Sequence, residues 1–120
     1  MENVVNIEDV PKTPGLKIAK KLMDQRVLGP KDGQHAIKGA ERLSILVQTY
    51  EPGGSHDPHS HSDTEQAFLV LSGKGQMHIG DKVYGIEKGS VAYAPRNVRH
   101  STQNTGDEKL VMMLIGVTLD

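Results

Sequence analysis

The chain has 120 residues, which is enough for one domain with a single hydrophobic core. Its 14 basic and 15 acidic side chains leave a formal net charge of −1, and it carries only three tyrosines, one phenylalanine and no tryptophan, so nucleic-acid binding and attraction to an anionic membrane are not expected. The absence of cysteine excludes disulfides, thiolate metal ligands and a cysteine nucleophile.

The N-terminal segment is expected to be an irregular arm, because Pro11 and Pro14 interrupt regular structure. Between Leu16 and Leu28 the apolar spacing fits one face of a helix and also one face of a strand, and we favour the strand. The first residues lack a basic region followed by a long apolar stretch, and no apolar run approaches ~18 residues. A cytoplasmic protein without a membrane span is therefore the expectation.

The remainder of the chain is typical of short β-strands separated by turns. Residues 42–50 alternate apolar and polar side chains, and Pro52-Gly53-Gly54 is expected to end that strand. Further strands are expected at 66–71, 76–79, 82–86, 90–94, 98–104 and 109–118. Turn signals that recur roughly every 8–12 residues indicate an all-β sandwich or barrel.

Two histidines, His59 and His61, stand two residues apart just before the strand at 66–71. In an extended chain this spacing directs both imidazoles to the same face. Glu65 and Gln66 follow closely and each offers an oxygen, and His100 lies in a second patterned stretch. Since the chain has no thiol, nitrogen and oxygen must supply any ligands, and the pattern predicts a metal site inside a small β-barrel.

Two stretches of the sequence together resemble the two motifs of the cupin family. The matching positions of the first motif are Gly53, His59, His61, Gln66 and Gly73, and those of the second are Gly89, Pro95, His100 and Asn104. The resemblance covers about residues 40–118 and implies a cupin double-stranded β-helix, or jelly-roll, barrel in which the motifs face one another. It divides one overall domain into an N-terminal arm with the first strands (1–40) and the cupin barrel (41–120).

The resemblance also implies a ligand set for a divalent metal, namely His59, His61 and His100 with a fourth group from the first motif. The identity of the metal is open among Zn, Ni, Mn and Fe. The family usually has glutamate at the fourth position, whereas this chain has Glu65 and Gln66 next to each other. Only one of them can point inward from a regular strand, and periodicity does not decide which.

The distance to the Gly73 turn favours Gln66 as the fourth ligand. A second departure from the family is Asn97, which stands where the second motif usually has glycine. Asparagine is the non-glycine residue that best tolerates a positive φ, so this substitution is mild.

The resemblance implies a metal-dependent, isomerase-like or lyase-like enzyme that acts on a small anionic substrate such as a sugar acid or a carboxylate. Three histidines with glutamine resemble the cupins that open unsaturated uronates, whereas three with glutamate would resemble oxalate-handling, dioxygenase and isomerase cupins. Glu65 and Tyr93 are the candidates for a catalytic acid or base. The alternatives are a non-catalytic metal- or ligand-binding cupin module and an Fe-dependent dioxygenase.

Two further expectations concern surfaces. A homodimer is predicted, because the apolar final strand and the N-terminal arm have few places to be buried within one small barrel. His56 is expected to face solvent, or else to gate the mouth of the cavity.

Overall fold

A computed structural model describes residues 3–16 and 18–119 of the chain. This part is almost entirely β-structure, with one 3-10 turn at Ile7–Asp9, and the predicted all-β class is confirmed. The strands are β1 (Lys12–Pro14), β2 (Ala19–Gly29), β3 (Ile37–Lys38), β4 (Leu43–His56), β5 (Thr64–Ser72), β6 (Lys74–Ile79), β7 (Lys82–Glu87), β8 (Val91–Ala94), β9 (His100–Gln103) and β10 (Leu110–Thr118).

The strands form one curled sheet with the order β7-β6-β9-β4-β10-β5-β8, and β2 lies on β4 with β1 and β3 beside it. The long strand β4 pairs with β10 from Leu43 to Tyr50 and reaches β9 through Ser55, which pairs with Gln103. Because β4 takes part in both halves, the sheet curls into the half-barrel of the expected jelly-roll fold. The pairing of β2 with β4 also confirms the predicted strand after Leu16.

The barrel interior holds the main hydrophobic core. Its fully buried members include Tyr50, Phe68, Met77, Leu110 and Met112. Strand β10 shows why these side chains lie inside, since alternate residues along it are buried and partly buried as strand pleating requires.

A second apolar cluster lies on the outer face of the sheet, where the N-terminal arm packs against the barrel. Val10 from the arm contacts a buried group with Val27 of β2 and Val47 of β4, and Met113 of β10 packs against it. Gln25 holds the arm in place, because its side-chain amide donates to the carbonyl oxygens of Ile7 (2.8 Å) and Val10 (3.0 Å). The arm is therefore more ordered than the irregular segment that the prolines predict.

This packing removes the physical reason that we gave for a homodimer. The arm and the outer face of the final strand bury each other within one chain, so neither needs a second copy. Homodimerisation stays a prediction. Among the described residues no helix has both the length and the apolar character needed to cross a membrane.

Candidate metal centre

His59 and His100 are joined by their backbones. The amide of His59 donates to the carbonyl of His100 at 3.1 Å, and the amide of His100 donates to the carbonyl of His59 at 2.9 Å. This antiparallel bridge places the two side chains on the same face, and their ring centroids lie 4.5 Å apart. The two sequence motifs therefore meet within the barrel.

His61 completes the cluster. Its ring centroid lies 4.9 Å from that of His59 and 5.5 Å from that of His100. Its carbonyl accepts a 2.6 Å hydrogen bond from the amide of Asn97, which has a φ of 67°, as the tolerance of asparagine for positive φ predicts. One ligand nitrogen from each of the three histidines lies within 4.8 Å of the others. Two nitrogens that bind the same ion are at most about 4.2 Å apart. Small rotations of the rings would therefore bring the three nitrogens from their present separation to metal-binding distance.

Two of these rings are oriented by main-chain carbonyls. Nδ1 of His59 lies 3.2 Å from the carbonyl oxygen of Asp57, and Nδ1 of His100 lies 3.2 Å from that of Val98. A ring that donates from Nδ1 carries its lone pair on Nε2, which is the arrangement found in metal-binding histidines.

The electrostatic environment keeps His100 neutral. Burial and, to a smaller extent, the neighbouring imidazoles of His59, His61 and His56 together lower the pKa of His100 to about 4, although the hydrogen bond to the Val98 carbonyl acts in the opposite direction. A neutral imidazole is the form that binds a metal, so this site suits a cation better than a proton.

The two candidates for the fourth ligand lie on opposite faces of β5. Gln66 lines the same cavity as the three histidines, and its Oε1 is buried without a hydrogen-bond partner among the described residues. Glu65 points the other way and accepts a 2.9 Å hydrogen bond from the hydroxyl of Tyr93. The structure thus brings Gln66 to the histidines and leaves Glu65 outside. The orphaned amide oxygen fits an oxygen ligand to a metal.

Glu65 and Tyr93 do not lie where an acid or base of this cavity would have to be. Tyr93 is 55% exposed on β8, and its hydrogen bond to Glu65 raises its pKa. The register explains the placement, because Gln66 pairs with Ala94 and the next pair, Ala67 with Tyr93, faces the opposite side of the sheet. The catalytic role that the sequence suggested for this pair has no geometric support.

His56 lies inside the barrel, where the sequence analysis expected it to face solvent. It is 7% exposed, its ring centroid lies 4.8 Å from that of His59, and burial lowers its pKa. The expectation of solvent exposure was wrong because β4 continues through Gly53 and Gly54, which were expected to end it, whereas the alternative, a gate at the cavity mouth, stays a prediction for a residue of the cavity lining. Gly54 permits this, since a Cβ there would lie 2.8 Å from the carbonyl oxygens of Glu51 and Lys21.

The histidines open into a cavity of about 120 Å³ between the two halves of the sheet. Most of its wall is apolar, and the lining side chains of this kind are Leu16, Ile18, Ala19, Leu22, Leu46, Phe68 and Leu114. Besides the histidines and Gln66, its polar lining consists of Asp24 and Gln48. No lysine or arginine lines the cavity among the described residues.

Asp24 is the cavity residue that the sequence analysis missed. It is 8% exposed on β2 and pairs across the strands with Gln48 of β4. Burial raises the pKa of Asp24, although the Gln48 side chain and the charge of Arg26 act in the opposite direction. The signal was present in the sequence, because Asp24 lies two residues after the core residue Leu22 and strand alternation directs both inward.

Comparison with known proteins identifies a matching family and several relatives. A family model described as a cupin domain, Cupin_2, matches residues 46–116. Auxin-binding protein 1 of Arabidopsis thaliana is 30% identical over 88 residues, which are 66% of this chain and 44% of that protein. Oxalate decarboxylase OxdC of Bacillus subtilis is 26% identical over 106 residues, which are 79% of this chain and 28% of that protein. The chain thus spans less than half the length of these two relatives.

A solved structure confirms the architecture over the full length of the barrel. The crystal structure of a predicted oxalate decarboxylase from Thermotoga maritima superposes with a TM-score of 0.81 and 22% identity. The match covers 97% of this chain and 99% of that one. At this level of identity the likeness shows the fold alone.

Proposed function

The chain belongs to the cupin family, and from that premise we propose that it is a metal-dependent enzyme acting on a small carboxylate. His59, His61 and His100 hold a divalent ion and Gln66 supplies a fourth ligand through Oε1. The reaction is of the isomerase or lyase kind. One curated relative of this chain is named an oxalate decarboxylase, which agrees with lyase chemistry.

The observation that carries the proposal is the convergence of three imidazoles on one point, in a cavity that also holds a buried amide oxygen with no partner among the described residues. A bound ion would supply Lewis acidity, polarising a carboxylate or carbonyl oxygen of the substrate. All four ligands are uncharged, so they leave the ion its full positive charge for an anionic ligand.

The cavity wall narrows the substrate class. An apolar lining suits a ligand with a hydrocarbon body, and the absence of lysine and arginine among the described lining residues leaves the metal as the partner for its negative charge. A sugar acid, whose many hydroxyls need hydrogen-bond partners, fits this wall less well than a small carboxylate with one anionic group. A volume of about 120 Å³ also favours a small molecule.

The metal site is tested by measuring bound metal in the wild-type protein and in two matched variants. His59→Ala removes a ligand, whereas His78→Ala removes an exposed histidine on β6, which pairs with Ser101 of β9 and so lies on the opposite face of the sheet from His100. After dialysis against Zn, Ni, Mn or Fe(II), we expect about one ion per chain in the wild type and in His78→Ala, and a large loss in His59→Ala. Equal metal content in all three proteins would contradict the proposal.

Turnover is tested with the metal-loaded protein on a panel of small carboxylates, 2-oxo acids and uronates. We expect product formation by the wild type and by His78→Ala, and none by His59→Ala. Oxygen uptake that requires Fe would instead identify the dioxygenase alternative.

A binding module is the second candidate function. Two observations favour it: neither Glu65 nor Tyr93 reaches the cavity, and one relative is named an auxin-binding protein. Tight binding of a carboxylate to the metal-loaded protein, with no turnover on any member of the panel, would favour the module over the enzyme.

A further inference from the structure

Asp24 is a buried carboxyl group in the wall of the cavity that the metal chemistry does not use. It is 8% exposed, lines the cavity with the histidines, and its Oδ1 has no hydrogen-bond partner in the part of the chain that the structure describes. An orphaned oxygen in so buried a position is unusual, because buried polar atoms are nearly always paired. The group therefore needs a partner that the folded chain does not supply.

The side chains next to Asp24 determine which of its carboxyl oxygens is available to a ligand. The Tyr50 hydroxyl donates to Oε1 of Gln48 at 3.1 Å, which leaves the amide N–H groups of Gln48 as the part that can face Asp24. The Gln48 side chain hydrogen-bonds to Asp24, so one carboxyl oxygen is satisfied and Oδ1 remains free. Gln48 thus orients Asp24 with Oδ1 available to a molecule in the cavity.

Asp24 lies across the cavity from the fourth ligand position. Strand β2 is separated from β5 by β4 and β10, so Asp24 and Gln66 lie three strand positions apart along the curled sheet. The side chains of Leu46, Leu114 and Phe68 lie in neighbouring register positions between them. A molecule that reaches from the histidines to Asp24 would lay its middle portion on this apolar floor.

We propose that Asp24 is a second anchor for the ligand, forming a hydrogen bond through Oδ1 to an uncharged oxygen at the end away from the metal. This inference rests on the proposed function, because the histidine cluster holds the first end. The ligand class is a small molecule with one carboxylate, an apolar middle and one carbonyl or ether oxygen beyond it.

The chemistry of the wall supports an uncharged oxygen at this position. Burial raises the pKa of Asp24, which favours the protonated carboxyl, and in that form the group has one O–H to offer. A second carboxylate on the ligand would also have to be buried here, and no lysine or arginine of the described lining is present to pair with it. A monocarboxylate with a remote oxygen satisfies Oδ1 without adding a buried charge.

The test measures binding of two matched series of acids to the Zn-loaded protein by calorimetry. One series is pentanoate, hexanoate and heptanoate, and the other carries a ketone as 4-oxopentanoate, 5-oxohexanoate and 6-oxoheptanoate. We expect at least one oxo acid to bind the wild type roughly threefold to tenfold more tightly than its parent acid, as one added neutral hydrogen bond allows.

Three variants separate the hydrogen bond from the shape of the cavity. Asp24→Asn keeps a donor and should keep the preference for the oxo acid, whereas Asp24→Ala removes it and should abolish the preference. Leu16→Ala shortens another apolar side chain of the cavity lining, outside the floor and without touching a polar group, and should retain the preference. Circular dichroism confirms that each variant is folded, and the wild-type comparison stands even where a variant is not.

The outcomes distinguish this proposal from the function on which it rests. If metal and parent acids bind but no oxo acid is preferred, or if the preference survives in Asp24→Ala, the role of Asp24 is wrong and the metal site stands. If the wild type binds neither metal nor any acid of the panel, the proposed function is wrong, and the role of Asp24, which rests on it, is wrong as well.

Discussion

His59 and His100 donate backbone hydrogen bonds to each other in both directions, at 3.1 Å and 2.9 Å, although 40 residues separate them in the chain. The main-chain pairing therefore fixes the spacing and the facing of the two residues, from which ring rotations can bring the nitrogens to an ion. Replacing one of these side chains removes a ligand but leaves the bridge, so variants of the cluster should fold and their loss of metal can be interpreted.

Gln66→Ala should weaken metal binding on the order of tenfold or more, because it deletes a buried, unpartnered oxygen from the cavity that the three histidines line. Glu65→Ala is the matched control on the neighbouring residue, and it should leave metal affinity unchanged while it breaks the hydrogen bond to Tyr93. Metal dissociation constants measured by competition with a chromophoric chelator check both. If Glu65→Ala weakened metal binding more than Gln66→Ala did, Glu65 and not Gln66 would be the fourth ligand.

The metal-free protein should lose stability when the pH falls from about 6.5 towards 4. The folded state holds the pKa of His100 at about 4, below its ordinary value of 6.5, so in this window the unfolded chain binds more protons. The pKa values of His56 and His61 are lowered as well, and their effect has the same sign. Thermal midpoints of protein treated with EDTA measure the dependence, which should be shallower in His100→Asn. An equally steep dependence in that variant would contradict the assignment.

Asp24 should affect the pH dependence of stability in the opposite direction to the histidines, and Asp24→Asn should remove this effect. The folded state raises the pKa of Asp24, so between its ordinary value of 3.8 and the raised value the folded chain binds more protons. The stability of the wild type then decreases relative to Asp24→Asn as the pH rises through that window. The difference in unfolding free energy between the two proteins from pH 4 to pH 8 is the measurement, and a constant difference would show that Asp24 ionises normally.

Three glycine-to-alanine substitutions should destabilise the protein to different degrees. Gly73 has a φ of +83°, and a Cβ there would collide with the carbonyl oxygen of Lys109, so strain and overlap should together cost more than about 2 kcal/mol. Gly89 has a φ of +89° in open space and should cost about 1–2 kcal/mol. Gly85 has open space and no positive φ, so its replacement should be within about 0.5 kcal/mol of neutral. Urea unfolding gives the three values, and equal effects would mean that backbone conformation is not the cause.

Strand periodicity explains why much of the site could be predicted from the sequence. The spacing of His59 and His61 places both on the same face of the chain. The turn at Gly73, whose φ is +83°, determines which face of β5 carries Gln66. Periodicity alone could not choose between Glu65 and Gln66, because both parities of β5 place apolar residues on the inner face. The choice depended on a turn, which is a local feature that a sequence shows well.

The residues that the sequence analysis missed depend on contacts between distant strands. His56 is buried because β4 continues past two glycines to pair with Ala19 of β2, and no local signal reveals that pairing. The arm is ordered by the hydrogen bonds of Gln25 to Ile7 and Val10, which join segments 15 and 18 residues apart. Asp24 was visible from strand alternation, but the expected burial of hydrophobic residues directs attention away from a carboxylate.

The left-handed turn at Asn97 influences the geometry of the site, although Asn97 is not one of the proposed metal ligands. Its amide holds the carbonyl of His61 at 2.6 Å, while His100 follows three residues later. A substitution at Asn97 that relaxes this turn would shift the imidazole of His61 relative to that of His100. It would leave the side chains of the four proposed ligands unchanged. Related chains could in this way acquire preferences for ions of different radius through a substitution remote from the ion, and surveys restricted to ligand residues would overlook it.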